Sequence, residues 1–176
     1  HFAGHLAFRH EDAILCGDVA MGWSSTLISP PDGDLADYFR TLARLNTAQP
    51  RVLLPAHGDA IREPAARLAE LAAHRRMRTS QILGALRDGP ASAHALAQRL
   101  YDVDARLIPA ATRNVLAHLI ALAELGAIDE DTKQLTKVGT ELARLPLDPK
   151  IGRMILAARK EGCLRSLHVE RKYRQG

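Results

Sequence analysis

Ala13-Ile-Leu-Cys-Gly-Asp18 and Arg51-Val-Leu-Leu-Pro-Ala-His-Gly58 are short apolar runs, each leading into a polar residue able to hold a metal. Short apolar runs bounded by turn formers read as buried strands. The segment joining them opens with Ser29-Pro-Pro-Asp-Gly-Asp34, a loop dense in turn formers. Asp34 then caps a helix whose apolar positions Leu35, Tyr38, Phe39, Leu42 and Leu45 recur at helical spacing. Upstream, His5 to Phe8 is a further strand-like run, and the polar Arg9-His-Glu-Asp12 turn makes it a hairpin partner of Ala13 to Cys16. The result is a strand, helix, strand pattern with Asp18 and His57 at strand ends, where α/β folds gather their chemistry.

Beyond residue 63 the pattern turns helical. Pro64 opens a long helix with Leu68, Leu71, Ile82, Leu83 and Leu86 on its core face, and Gly89-Pro90 stops it. Ser92 caps a second helix carrying Leu96, Ala97 and Leu100. Pro109 starts a third with Val115, Leu116, Leu119, Ile120 and Leu122, closed by Gly126. Ala127-Ile128 and Leu135-Thr136 flank a polar turn and pair as a small wing, which makes this a winged helix of the helix-turn-helix class. Short helices follow around Lys137 to Leu145 and Lys150 to Lys160, separated by the breaker Pro146-Leu-Asp-Pro149.

Composition narrows the function classes. The 176 residues are 47% hydrophobic and 25% charged, the balance of a globular chain, and no run is apolar enough to span a bilayer. The chain opens without the basic-then-apolar ramp of a secretory signal, and two cysteines, Cys16 and Cys163, fit a reducing, cytoplasmic compartment. The net charge of +4 is unevenly spread. All five lysines lie after residue 132; the part before carries a net −3 and the part after a net +7. That boundary suggests two origins joined near residue 130.

The residues with metal chemistry are His1, Asp18 and His57. Imidazole, carboxylate and imidazole suit zinc, which lowers the pKa of a bound water to produce hydroxide at neutral pH. Read alone, the spacing equally describes a terminal and a loop histidine. The order of the motifs adds more. His1-Phe-Ala-Gly-His-Leu-Ala-Phe8, Leu15-Cys-Gly-Asp18 and Leu54-Pro-Ala-His-Gly58 resemble the second half of the metallo-β-lactamase superfamily, with its PGHxxGH-type loop, GD strand end and PxHG loop. Met21-Gly-Trp-Ser-Ser25, Pro30-Pro-Asp-Gly-Asp34 and His74-Arg-Arg-Met-Arg78 resemble the branch whose hydrolase domain is followed by a winged helix, which includes an endoribonuclease acting on single-stranded RNA. The resemblance implies zinc, up to two ions in the intact family fold, with His1 as third-motif ligand, Asp18 as bridging carboxylate and His57 as last ligand. His5 matches a position that is not normally a ligand. The family's HxHxDH motif, which supplies three ligands and the aspartate that orients the water, does not occur here. Weak or partial zinc binding and little turnover by this chain alone are therefore expected, as is a sheet without its facing half.

The tail carries a second resemblance. Leu135-Thr-Lys-Val-Gly-Thr-Glu-Leu-Ala-Arg-Leu-Pro-Leu-Asp-Pro149, with Ile151-Gly-Arg-Met-Ile-Leu156 and Glu161-Gly-Cys163, resembles the junction between winged-helix and ratchet domains of DEAH-box RNA helicases. Neither a GxxxxGK[ST] loop nor a DEAH box is present, so these residues contain no helicase motor.

The fold expected is α/β, a partial αββα metallo-β-lactamase sandwich over 1–63. An all-α winged helix over 64–132, a helicase-like helical segment over 133–165 and a basic tail over 166–176 follow. The function expected is zinc-dependent hydrolysis of an RNA phosphodiester or a small ester or thioester. The alternatives are a non-enzymatic nucleic-acid-binding winged-helix module and a fusion fragment with a helicase-derived tail. RNA or DNA and a small-molecule substrate are the partner classes, with no membrane. Arg75, Arg76 and Arg78 form the basic cluster that would meet phosphates, against the simpler reading of a solvated helix face. Trp23 and Tyr38 read as core residues, Cys16 as a small buried hydrophobe, and His94 and His118 as packing or surface histidines.

Overall fold

The computed structural model describes residues 2–129, 131–132, 134–145 and 149–160. A three-stranded sheet is built from β1 (Phe8–His10), β2 (Ala13–Gly17) and β3 (Val52–Pro55), in that order. β1 and β2 are antiparallel with Phe8 opposite Leu15 and His10 opposite Ala13, while β2 and β3 are parallel with Leu15 opposite Leu54. The crossover between the parallel pair is α1 (Leu35–Thr47), capped by the Asp34 carboxylate, which accepts from the Asp37 N–H at 2.6 Å.

The hairpin is offset from the one expected. The first strand begins at Phe8 instead of ending there, because the turn is confined to Glu11-Asp12, with Glu11 at φ 50°, and Arg9 and His10 join the ladder. His5 lies outside the strand and places its Nε2 3.2 Å from the Cys16 carbonyl oxygen, at the far end of β2.

Sheet alternation sorts the strands into two faces. Ile14, Cys16 and Leu53 are buried in a core with Leu35, Tyr38, Leu42, Leu45, Leu68 and Leu71. The opposite face carries Phe8, Leu15 and Leu54, which the register sets side by side across the three strands, and all three are exposed. The expectation of unpacked strands thus holds for one face only. Removing side chains from the two faces should have unequal consequences. Leu53→Ala, at a fully buried position, should cost about 2–5 kcal/mol. Leu15→Thr, at 46% exposure, should stay within about 0.5 kcal/mol of the parent. Urea midpoints of the two variants give the comparison, and equal losses would mean that the exposed face is covered in solution.

α2 (Pro64–Leu86) is one unbroken helix of 23 residues, roughly 35 Å long at 1.5 Å per residue. Its first half, with Leu68 and Leu71, belongs to the sheet core. Its second half, with Ile82, Leu83 and Leu86, belongs to a second core with Leu96, Ala97, Val115, Leu122, Ile128 and Leu142. That core holds α3 (Ala93–Leu100), α4 (Ile108–Glu124) and α5 (Lys137–Leu142) together. Ser92 caps α3 and Thr136 caps α5, each side-chain oxygen accepting a backbone N–H three residues on. The wing is one antiparallel bridge, Ile128 opposite Leu135. Of the apolar positions read on α4, Val115 and Leu122 are buried but Leu116 and Ile120 are exposed. The helix is apolar around more of its circumference than its neighbours cover. α6 (Pro149–Lys160) completes the order; the breaker at 146–148 and the tail at 161–176 lie outside the described residues. Among the described residues no helix is long and apolar enough to cross a membrane.

Candidate metal centre

Asp18 and His57 leave the same edge of the sheet because β2 and β3 are parallel. Gly17 is opposite Pro55, and the Ala56 N–H donates to the Gly17 carbonyl oxygen at 3.2 Å, so the two chain exits are tied together. Gly17 adopts φ 55°, a region that only glycine enters without strain, and a Cβ there would overlap His5 Nε2. The turn after β2 therefore delivers Asp18 directly toward the loop after β3.

There His57 Nε2 stands 3.9 Å from Asp18 Oδ1, too far for a hydrogen bond. Among the described residues Asp18 Oδ1 is buried and has no hydrogen-bond partner, while the His57 ring is largely exposed. A buried carboxylate oxygen without a donor is costly in water-excluded surroundings, and a cation removes that cost. An anionic oxygen beside an imidazole nitrogen is the donor chemistry that suits zinc, so the two residues present fit such an ion as part of its ligand set. His1, the third residue expected here, lies outside the described residues. Among the described residues no group of three or more ligating side chains is assembled.

Other polar candidates near the site are accounted for locally. His5 packs its ring edge-on to Phe2 at 5.3 Å between centroids and stays on the Cys16 carbonyl side of Gly17. Cys16 is fully buried, and burial pushes its thiol pKa up, which suits a packing role and not a nucleophile. Trp23, expected in the core, is 72% exposed. Its indole lies against the backbone of Gly58, where a Cβ would come within 2.9 Å of Trp23 Cδ1, so the neighbour of His57 leaves room for the ring. No sequence signal separated this tryptophan from a core residue, since exposure depends on the loop path and not on residue type.

The loop after Asp18 is held from several sides. Thr26 Oγ1 donates to the carbonyl oxygens of Asp18 at 2.6 Å and Val19 at 3.0 Å, and the Tyr38 hydroxyl donates to the Val19 carbonyl oxygen at 3.1 Å. Arg67 donates to the carbonyl oxygens of Met21 and Ser24 and pairs with Glu70 at 2.7 Å. Tyr38 is thus a core residue, as read, with its hydroxyl on this loop.

The three arginines of the basic cluster do not share a face. Arg75 is 1% exposed; its guanidinium donates to the Thr26 carbonyl oxygen and, at 3.1 Å, to Asn114 Oδ1, and lies 5.7 Å from the Tyr38 ring centre. Its two terminal nitrogens thus bond inside the protein, and its Nε is buried without a partner among the described residues. Arg78 donates to the Leu100 carbonyl oxygen at 2.6 Å and to Gln81, and stacks 3.9 Å from the Tyr101 ring centre. Arg76 is exposed and sits over the Phe39 ring at 5.4 Å. Helical spacing makes this division foreseeable, because 75, 79, 82 and 86 form one stripe and 76 lies off it.

A separate groove of about 750 Å³ runs between α1, α2, α4 and α6, lined mainly by apolar and small side chains such as Phe39, Leu68, Ala72, Ala121 and Ile151. It shares no residue with the Asp18–His57 edge.

Comparison with known proteins bears on the fold that carries these residues. Residues 92–137 match the family model of the β-lactamase-associated winged-helix domain. The crystal structure of a metallo-β-lactamase family protein from Thermus thermophilus superposes with a TM-score of 0.64 at 32% identity, covering 72% of this chain and 42% of that one. The probable metallo-hydrolase YqjP of Bacillus subtilis is 31% identical over 111 residues, 57% of this chain and 35% of that protein. The ATP-dependent RNA helicase HrpA of Escherichia coli is 44% identical over 61 residues, 32% of this chain and 5% of the helicase. This chain therefore spans less than half the length of each. In sequence and in fold it resembles metallo-β-lactamase family proteins and carries their associated winged helix, with a helicase-type likeness over a shorter stretch.

Proposed function

We propose that the chain contributes the Asp18–His57 edge of a zinc-dependent hydrolase of the metallo-β-lactamase fold. The observation that carries this reading is the buried, unpartnered Asp18 Oδ1 facing His57 Nε2 across 3.9 Å at the ends of two parallel strands. Zinc, when bound, supplies Lewis-acid polarisation and a water acidic enough to ionise near neutral pH. Asp18 offers the charge, shielded from bulk water on one oxygen, and His57 offers a neutral nitrogen from the exposed side. Gly17 and the Ala56–Gly17 hydrogen bond hold both in register. The bond attacked is an RNA phosphodiester or a small ester or thioester. Because HxHxDH does not occur in this sequence, turnover by these residues alone is expected to be low, with metal binding the property that remains.

The test is metal binding by the full 176-residue chain, followed by calorimetry and by the visible spectrum of cobalt as a zinc surrogate. Asp18→Asn and His57→Ala should each weaken cobalt binding by at least about tenfold, the scale set by loss of one direct ligand exceeding that of an outer partner. Equal affinity in parent and variants would overturn the assignment.

A second reading is favoured by the winged helix at 92–137 and by the net +7 of the sequence after residue 132. It makes the chain a nucleic-acid-binding module without catalysis. Binding of single-stranded RNA that falls steeply with salt and ignores chelators would support that reading; loss of binding with EDTA would return the argument to the metal centre.

A further inference from the structure

The buried cation at 75 has no carboxylate within reach among the described residues, yet its contacts connect the winged helix to the candidate metal edge. Arg75 Nη1 and the Ile28 N–H converge on one oxygen, Asn114 Oδ1, at 3.1 and 2.9 Å. Asn114 belongs to α4, whose next residue upstream, Arg113, reaches Ser29 Oγ at 3.1 Å. Arg75 Nη2 holds the Thr26 carbonyl oxygen, and the Thr26 hydroxyl holds the carbonyl oxygens of Asp18 and Val19. Two helices of the second core, α2 and α4, thereby grip residues 26–29, and residue 26 grips the backbone of Asp18. Hydrophobic packing alone would not need a fully desolvated guanidinium here, since an aliphatic residue of similar volume would fill the space without the desolvation cost. Directional donors aimed at one loop instead specify where that loop lies.

We propose that Arg75, Asn114 and Thr26 are positioning residues through which the winged-helix half sets the orientation of Asp18 at the metal edge. They touch neither metal nor substrate; they act on Asp18 through its backbone. The proposal rests on Asp18 being a metal ligand, which is the reading above.

The experiment has a metal-dependent and a metal-independent arm, both on the full chain. Asn114→Leu removes the shared acceptor at similar volume, Asn114→Asp restores it, and Thr26→Val removes the hydroxyl without changing shape. Leu96→Ala serves as a control that destabilises the second core without contacting this network. Asn114→Leu and Thr26→Val should weaken cobalt binding roughly tenfold, as loss of an outer-sphere partner does, and Asn114→Asp should recover most of it. Without metal, hydrogen exchange of the Val19 amide, which donates to the Cys16 carbonyl oxygen, should accelerate in the same two variants and not in Leu96→Ala. The proposal is overturned if Val19 exchange is unchanged in Thr26→Val and Asn114→Leu, or if Leu96→Ala alters it equally. Cobalt binding that is absent in the parent, or indifferent to Asp18→Asn, would defeat the metal reading instead, and the exchange arm would still decide whether the loop is held as stated.

Discussion

Lowering the pH from 7.5 to 5.0 should cost the folded chain about 2 kcal/mol through a single side chain, His118. The imidazole is fully buried on α4, with Nδ1 2.8 Å from Thr79 Oγ1 and Nε2 without a partner among the described residues. The Thr79 hydroxyl donates its proton to the Arg75 carbonyl oxygen at 3.1 Å, so toward the ring it can only accept. In the tautomer consistent with that bond the proton sits on Nδ1 and Nε2 is bare. Protonating Nε2 would put a further positive charge into a site that burial has dried and that the Arg75 and Arg78 guanidiniums already make positive. Burial first, and those neighbours after it, push the pKa down to about 3. The unfolded chain titrates near 6.5, so between these values the unfolded state holds the extra proton. Stability is therefore full above about pH 6.5 and falls as the pH drops toward about 3. Urea midpoints at pH 7.5 and 5.0 for the parent and His118→Asn isolate this group. The variant should lose about 2 kcal/mol less than the parent over that interval, and equal losses would mean that His118 is charged or solvated in the fold.

His118 also shows where the sequence was legible and where it was not. The helical positions were readable because their burial follows a local period: Leu35, Tyr38, Leu42 and Leu45 on α1, and Leu68, Leu71, Ile82, Leu83 and Leu86 on α2, are buried as the spacing predicts. The caps at Asp34 and Ser92 sit where a short polar side chain precedes an apolar stripe, while Thr136, read only as part of the wing, also caps α5. Asp18 and His57 were readable as strand-end residues. Their proximity was implied only by the family resemblance, because it depends on a parallel register with a crossover helix between the strands, which no local pattern encodes. Non-local contacts explain the misses as well. Arg75 reads as part of a charged run with Arg76 and Arg78, and only the passage of residues 26–29 over α2 turns it into a buried donor. Trp23 reads as core by residue type, and only the loop path leaves its ring in solvent. His118 was open between packing and surface until α2 closed over it.

The contact between the wing and the helix after it leads to the second large effect, and to a sign reversal within one residue type. Gly139 lies in the first turn of α5 directly beneath the wing. A Cβ there would overlap the Ala127 carbonyl oxygen, and would stand 2.8 Å from the Ala127 carbonyl carbon and 3.2 Å from Leu135 Cδ2. The obstacle is backbone, held on its other side by Thr136, whose N–H and hydroxyl donate to the Ala127 and Gly126 carbonyl oxygens at 3.1 and 2.7 Å. Neither partner can yield by rotating a side chain, so Gly139→Ala must lift α5 off the wing and break those bonds. The loss should be about 2–3 kcal/mol or more, at the upper end of overpacking costs. Gly84 on α2 gives the counter-case, since nothing lies within 4 Å of a Cβ built there. Gly84→Ala should stabilise the chain by about 0.5–1 kcal/mol, because alanine restricts the unfolded backbone and favours the helix. The same substitution at two helical glycines should therefore move the urea midpoint in opposite directions. If both variants gained stability, α5 would not be seated on the wing, and residues 134–142 would not belong to the second core that the winged helix builds.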